Sequence, residues 1–380
     1  MAGSAAYSIR VLPADRQALE AYQCFCRGAI YAPPQSPLWI RAWLEDRGAD
    51  GLIALLSCDG VPALALALEA VEMGPLTFAR FAGGRHANGN FPALHPDGMA
   101  EKAHWAAALP ALLSAIRAER PDIDILALER QRDRIQQYPN PLLTLPYQTS
   151  PNLSLAVDLS MGFEKLLRDG SGKRRRRRRR IQLKRLEAAG GYRRFIATTP
   201  SEVEELLDLF FSLKSKRLNR MGVQDIFAPA CVRASFRRLF LTALDEAEPP
   251  FFLHALEAGG KIRAITGSSR TQDSIICEFS TFADDELAHA SPGEFLFYEN
   301  IAETASEGLA FYDFGVGDDP YKRLWCDVET KHADVFIGLT RVGRLAAHTS
   351  SALAGIKRMI KQNPAIARLA RRARRLAAKS

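Results

Sequence analysis

One order of elements occurs twice along this chain, and the repetition limits the fold more than any other feature. In the first half, Pro37 to Asp46 (PLWIRAWLED) reads as a short helix, and IALLSC, Asp59-Gly60 and VPALALALE follow as two apolar runs around a turn. Asp-Gly suits a tight hairpin turn because both residues tolerate positive φ. Glu101 to Ala118 then has helical periodicity, and Asp122 to Leu128 (DIDILAL) reads as a strand. In the second half, Ser201 to Arg217 reads as a helix, with Ser201 and Glu204 at capping-box spacing. Phe251 to Glu257 and Lys261 to Ser269 read as strands joined by Gly259-Gly260. A strand (Ser274 to Thr281), a helix opening at Pro292-Gly293 and a strand (Leu309 to Phe314) complete the set. Helix, hairpin, strand, helix and strand are thus read twice, which implies two α/β domains of related topology joined near Gln148 to Asp158. The expected bounds are 1–150 and 151–345, with a tail over 346–380.

Composition agrees with a chain that buries a sizeable core. Of 380 residues, 47% are apolar and 25% charged, which excludes wholesale disorder. The longest apolar stretch, Leu52 to Val71, is interrupted by Asp59, Gly60, Pro62 and Glu69, so no spanning helix is expected. Met1 to Arg10 lacks a charged start followed by an apolar run, and no secretory signal is expected there. Six cysteines without a CxxC pair make neither a disulfide framework nor a zinc site, so reduced thiols, no metal and a cytoplasmic location are expected.

The net charge of +8 is unevenly spread. Residues 166–195 carry a local +11, residues 341–380 another +11, and the remaining chain −14. Two basic segments on an acidic body point to two local anion-facing features rather than a general nucleic-acid surface. Lys173 to Leu186 (KRRRRRRRIQLKRL) lies between Ser171-Gly172 and Gly190-Gly191 and reads as a helix. Arg174 and Arg177 are its candidate anion ligands, since guanidinium forks suit phosphates. Seven consecutive arginines surround a helix axis, so a mostly solvated helix is the plain alternative. In residues 350–380, apolar positions at spacings of three and four face a basic side, with Pro364 as a break. That tail suits an anionic membrane surface, or equally a helix packed on its own domain or a disordered segment.

At Ser291 to Trp325 the sequence reads SPGEFLFYENIAETASEGLAFYDFGVGDDPYKRLW. Ser291-Pro292-Gly293, Asp313 with Gly315, Gly317-Asp318, Tyr321-Lys322 and Trp325 resemble the CelD-like group of GNAT-fold acyltransferases, associated with cellulose and other exopolysaccharide biosynthesis. The arginine-rich helix ahead of them is similar to the family pattern, although its arginine run is denser. The resemblance covers 155–340 well and 30–150 loosely. It implies two tandem GNAT-like domains of mixed sheets flanked by helices, an architecture similar to FemAB-type aminoacyltransferases. It also implies acyl transfer from acetyl-CoA or another acyl-CoA to an amino- or hydroxyl-bearing acceptor such as a polysaccharide precursor.

Such a transfer needs an anion cradle, a base and an acid. Helix N-termini cradle phosphates through free N–H groups, and Ser291, Pro292, Gly293 and Glu294 are the candidate cradle, although the usual GNAT pattern of spaced glycines is missing. An ordinary proline-started helix is the alternative. Candidate bases are Asp313, at the end of an apolar strand, and Glu278, within IICEFST; His254 and His289 are also near strand ends. Asp313 serves equally well as a loop cap, and alternation puts Cys277 and Glu278 on opposite faces. The resemblance makes Tyr321 the acid that protonates a leaving thiolate, with Lys322 beside it as a donor ligand. The alternative is that Tyr321 and Trp325 share one apolar helical face. Two other functions share the fold: transfer from an aminoacyl-tRNA, and a non-catalytic scaffold docking onto an anionic membrane, peripheral to the inner membrane, or onto a polysaccharide synthase complex.

Overall fold

The computed structural model describes residues 6–45, 49–98, 102–168 and 170–347. It divides into two compact units, 1–153 with 331–380, and 154–330. In chain order the first unit supplies β1 (Tyr7–Pro13), α1 (Arg16–Phe25), α2 (Pro37–Leu44), β2 (Gly51–Cys58), β3 (Val61–Met73), β4 (Leu76–Phe81), α3 (Lys102–Glu119) and β5 (Ile125–Gln131). β6 (Gln148–Asp158) leads into the second unit. There follow α4 (Phe163–Arg168), α5 (Gly172–Ala188), β7 (Tyr192–Ile196), α6 (Pro200–Arg220), α7 (Ala230–Ala243), β8 (Phe251–Ala258), β9 (Lys261–Arg270), β10 (Ser274–Phe282), α8 (Pro292–Ser306), β11 (Phe311–Val316) and α9 (Pro320–Arg323). β12 (Val328–Gly338) returns to the first unit, where it pairs with β5 from Gly338 opposite Ile125 to Ala333 opposite Gln131. The expected second domain, 151–345, therefore ends earlier, because residues from 331 on satisfy the edge of β5. Of the expected tail, residues 348–380 lie outside the described residues.

The first unit is a mixed sheet in the order β1-β2-β3-β4-β5-β12. The Asp59-Gly60 hairpin joins β2 and β3, both residues having positive φ. β4 and β5 run parallel and α3 connects them. Leu52, Ala54 and Leu56 of β2 share a core with Trp105, Leu109 and Leu112 of α3. Ser36 caps α2 by accepting from the Trp39 N–H at 3.2 Å. A buried carboxylate, Glu69, accepts from Trp43 Nε1 at 3.0 Å and Arg80 Nε at 2.9 Å, so its charge is fully partnered.

The second unit repeats the plan in the order β6-β11-β10-β9-β8-β7. β10 and β11 are its parallel pair, bridged by α8. Gln148 to Asp158, expected as the joint between domains, is a strand: its Leu155 and Val157 are buried, and Asp158 to Ser154 pair with β11. Polar QTSPN at its start concealed the alternation that follows. The capping box of α6 sits two residues earlier than expected, at Thr199 and Glu202, because Pro200 takes the first helical position. Ser201 instead donates to Glu205 within the helix at 3.1 Å.

One face of the second sheet packs on α8, with Phe252, Ile275, Cys277, Tyr312 and Phe314 against Phe297 and Ile301. The other carries Phe279, whose ring meets Phe210 of α6 at 4.2 Å and Phe236 and Phe240 of α7 at 5.4 and 5.6 Å. Gly267, opposite Phe279 on β9, makes room for that ring, and a methyl group at Gly267 would overlap it. Between sheet and α8 runs a polar network. His254 Nε2 meets Glu303 at 2.8 Å, Arg194 donates to Glu303 and to Asn300, and Asn300 Nδ2 donates to Thr266 Oγ1 at 3.0 Å.

Two predictions follow from this packing. Gly267→Ala should destabilise the fold by about 1–3 kcal/mol, the usual cost of an overpacked core, measured by urea unfolding. Burial pushes the Glu303 carboxyl up, but hydrogen bonds from His254 and Arg194 outweigh it and bring the pKa from 4.5 down to about 2. A depressed carboxylate stabilises the fold above its unfolded value and loses that contribution as pH falls through the folded one. Stability should therefore decline between pH 4.5 and about 2, and Glu303→Gln should remove that part of the decline in acid titrations of unfolding.

Candidate active site

The parallel ladder of β10 and β11 covers only Ser274 to Ile276 opposite Phe311 to Asp313. β10 continues to Phe282, held by β9 alone, so from Cys277 onward it has no strand partner on the β11 side. Two irregularities part the strands. In β10 the register against β9 slips between Cys277 and Phe279, which makes Glu278 the extra residue of a β-bulge. In β11 the register against β6 shifts between Asp313 and Val316, where Gly315 takes φ +69°. The result is a cleft whose two walls are the ends of parallel strands.

The bulge breaks the alternation after Glu278. Cys277 joins Ile275 on the α8 face while Phe279 turns to α6 and α7. Strict period-two reading fails wherever an extra residue enters a strand.

Tyr321 and Lys322 stand at the cleft on α9, immediately after β11. The Tyr321 ring stacks on Phe297 at 5.8 Å and 14°, and meets Phe314 edge-on at 6.1 Å. Burial, with Cys277 and Asp319 nearby, raises the Tyr321 pKa above the phenol value, so the hydroxyl keeps its proton at neutral pH. Lys322 is 4% exposed, and its Nζ donates to the Gly315 and Val316 carbonyls at 3.2 and 3.0 Å. Trp325, four residues after Tyr321, is buried elsewhere, with Tyr298 and Arg175 against its ring.

Asp313 and Glu278 are both tied to neighbours. Asp313 Oδ1 accepts from the Gly315 N–H at 2.7 Å and so braces the kink in β11. Glu278 Oε1 accepts from Ser269 Oγ of β9 at 2.6 Å. His254 belongs to the Glu303 network, and its imidazole pKa is lowered by burial. His289 is exposed, with its Nδ1 on the Glu286 carbonyl.

The start of α8 offers little as a cradle. Ser291 is in the left-handed region, φ +53°, and its carbonyl accepts the N–H groups of both Glu294 and Phe295 at 3.1 Å. Pro292 has no N–H, which leaves that of Gly293. Glu294, in the first turn, is paired with Arg178, so the helix end already holds a carboxylate.

α5 lies with Gly172, Gln182 and Leu186 buried and Arg175 and Arg179 half-buried between them. Arg175 donates to the Leu166, Leu324 and Trp325 carbonyls and sits 5.0 Å from the Trp325 ring. Arg179 pairs with Glu299 at 2.8 Å and lies 3.9 Å from the Phe295 ring. The candidates Arg174 and Arg177 point outward and are exposed. Sequence reading did not single out Lys214 of α6, whose Nζ donates to the Ser280 carbonyl on β10 at 3.0 Å. Nor did it single out Arg217, whose guanidinium lies 4.4 Å from the Phe282 ring. In KSKRLNR nothing distinguishes a lysine aimed into a cleft from its solvated neighbours.

The described residues hold no cluster of metal-ligating side chains, all six cysteines are free, and no described helix is long and apolar enough to cross a membrane. Residues 173–323 match the model of the acetyltransferase (GNAT) domain. No curated protein matches the chain. Among solved structures, FemX is similar at 12% identity and a TM-score of 0.59, over 86% of this chain and 97% of that one. The C-terminal domain of a protein described as a lysylphosphatidylglycerol synthetase, from Agrobacterium fabrum, is similar at 12% identity and a TM-score of 0.52, over 89% and 96%. A protein of unknown function from Bacteroides thetaiotaomicron is similar at 14% and 0.52, over 86% and 99%. At these identities the structures speak for the fold. The domain match lies within the second unit and supports a transferase, and the solved structures agree with its fold.

Proposed function

We propose that this chain transfers an acyl group, acetyl in the simplest case, from a coenzyme A thioester to an amine or hydroxyl of a polysaccharide precursor. The observation that carries the reading is the parting of β10 from β11 with Tyr321 at the gap. An extended thioester arm can add to the unpaired edge of β10 as a further strand would, through main-chain hydrogen bonds. The carbonyl then lies beside the protonated Tyr321 hydroxyl. As the acceptor attacks, its proton passes to solvent; as the tetrahedral adduct collapses, the carbon–sulfur bond breaks, the leaving thiolate takes the Tyr321 proton, and the phenolate regains a proton from solvent. Asp313 braces the cleft wall in this reading and Glu278 supports β10 through Ser269, so neither is the base. The acceptor is a polysaccharide precursor on the strength of the CelD-like motifs, and the basic segment 346–380 would hold the enzyme at an anionic membrane or synthase surface.

A second reading takes an aminoacyl ester, as of tRNA, for the donor. The likeness to FemX, and to a protein named for making an aminoacylated lipid, supports it.

Acetyl-CoA at a hundred times its dissociation constant should stabilise the protein by about 2.7 kcal/mol in thermal unfolding. Tyr321→Phe should lower kcat by about 10²-fold or more while leaving donor affinity within a fewfold. Unchanged turnover would remove Tyr321 from the acid role, and absence of any thermal shift would turn the reading to the aminoacyl ester.

A further inference from the structure

Two lysines flank the cleft without a carboxylate contact among the described residues. Lys322 is 4% exposed, and its bonds go to the carbonyls of Gly315 and Val316. Lys214 approaches from α6 on the other wall, and its bond goes to the carbonyl of Ser280. Among the described residues neither makes an ion pair. Buried ammonium groups are costly unless an anion or several good acceptors compensate them. Elsewhere in this unit Arg179, Arg194 and Arg263 meet carboxylates, and Arg175 is met by three carbonyls.

The surroundings add positive charge. Arg217, one turn after Lys214, lies against Phe282 at the end of β10. Desolvation, Arg217 and Lys322 all lower the Lys214 pKa, and Asp319, without an ion pair of its own, acts through space on both lysines. Three cations thus share two carboxylates, Asp319 and the Asp313 that also acts on Lys322, around a gap lined on one side by an unpaired strand edge. Meanwhile the start of α8 has one free N–H and its own carboxylate.

We propose that Lys214, Lys322 and Arg217 form a phosphate site in the cleft itself, which takes the place of the helix end as the holder of the donor's phosphate. The proposal rests on the acyltransferase reading and refines it: the donor carries a phosphate close to its reacting acyl group. That phosphate comes either from the pyrophosphate of coenzyme A, folded back toward the thioester, or from the ribose phosphate beside an aminoacyl ester. No covalent step is added. The lysines bind, and their unmet charge in the free protein is the driving force.

The test measures binding and stability together on the full chain. Inorganic pyrophosphate, coenzyme A, pantetheine and an aminoacylated CCA trinucleotide would be titrated against wild type, Lys214→Met, Lys322→Met and Lys214→Arg. Pyrophosphate should bind wild type with strong salt dependence. Its affinity should fall about tenfold or more in each Met variant, as expected for loss of a charge-assisted contact, and largely return in Lys214→Arg. The free Lys214→Met protein should melt at the same temperature as wild type or higher, since a half-buried charge without a carboxylate contact has gone. A merely structural lysine would instead lower the melting temperature and leave anion affinity unchanged. Competition by coenzyme A, but not pantetheine, would assign the phosphate to coenzyme A, and competition by the trinucleotide alone would assign it to the aminoacyl ester. Coenzyme A binding equally to wild type and both Met variants would overturn the site and leave the acyltransferase reading standing. Absence of binding by every probe would overturn both.

Discussion

The second unit depends on the early end of one parallel ladder. Three residue pairs hold β10 to β11, and beyond them each strand is bent away by an irregularity of its own. A continuous ladder would fill the space with backbone hydrogen bonds and leave nothing to bind. Both bends are braced: that of β10 by Ser269 on Glu278 and by the Phe279 ring seated over Gly267, and that of β11 by the Asp313 carboxylate on the Gly315 N–H. Residues that look catalytic by type thus hold the cleft open, which is a structural task carried out by chemically reactive groups.

The architecture was legible in the sequence where local chemistry agreed with global packing. Asp59-Gly60 and Gly259-Gly260 set their hairpins because both turns take positive φ, and the apolar runs beside them are buried on both sides. The doubled order of elements survives as matching strand orders in the two units. What escaped was non-local. β6 looked like a linker because its first residues are polar and its partner, β11, lies more than a hundred residues away. The bulge at Glu278 carries no mark in IICEFST, since it is imposed by the fit of Phe279 to α6 and α7. Lys214 and Arg217 stayed hidden because burial of one lysine among several is decided by the strand that α6 packs on.

The arginine run shows how a charge count misleads about where charge acts. Residues 166–195 are strongly basic, but Arg175 and Arg179 are turned inward over Trp325 and Phe295, and Arg178 neutralises Glu294. Their planar groups serve as packing surfaces with attached donors, a use for which lysine would be a poor substitute. Meanwhile two lysines, lost in the composition, sit at the cleft without an ion pair among the described residues.

The return of β12 to the first sheet affects how the chain can assemble. Residues 154–330 form an insertion within the first unit, which lacks its last strand until Lys331 and its successors exist. During synthesis at about 5–20 residues per second, the second unit has all its strands before the first does. The amino-terminal half must wait with the edge of β5 open, and an open edge is a place for wrong pairing. The order of completion in this protein therefore runs against the order of its sequence.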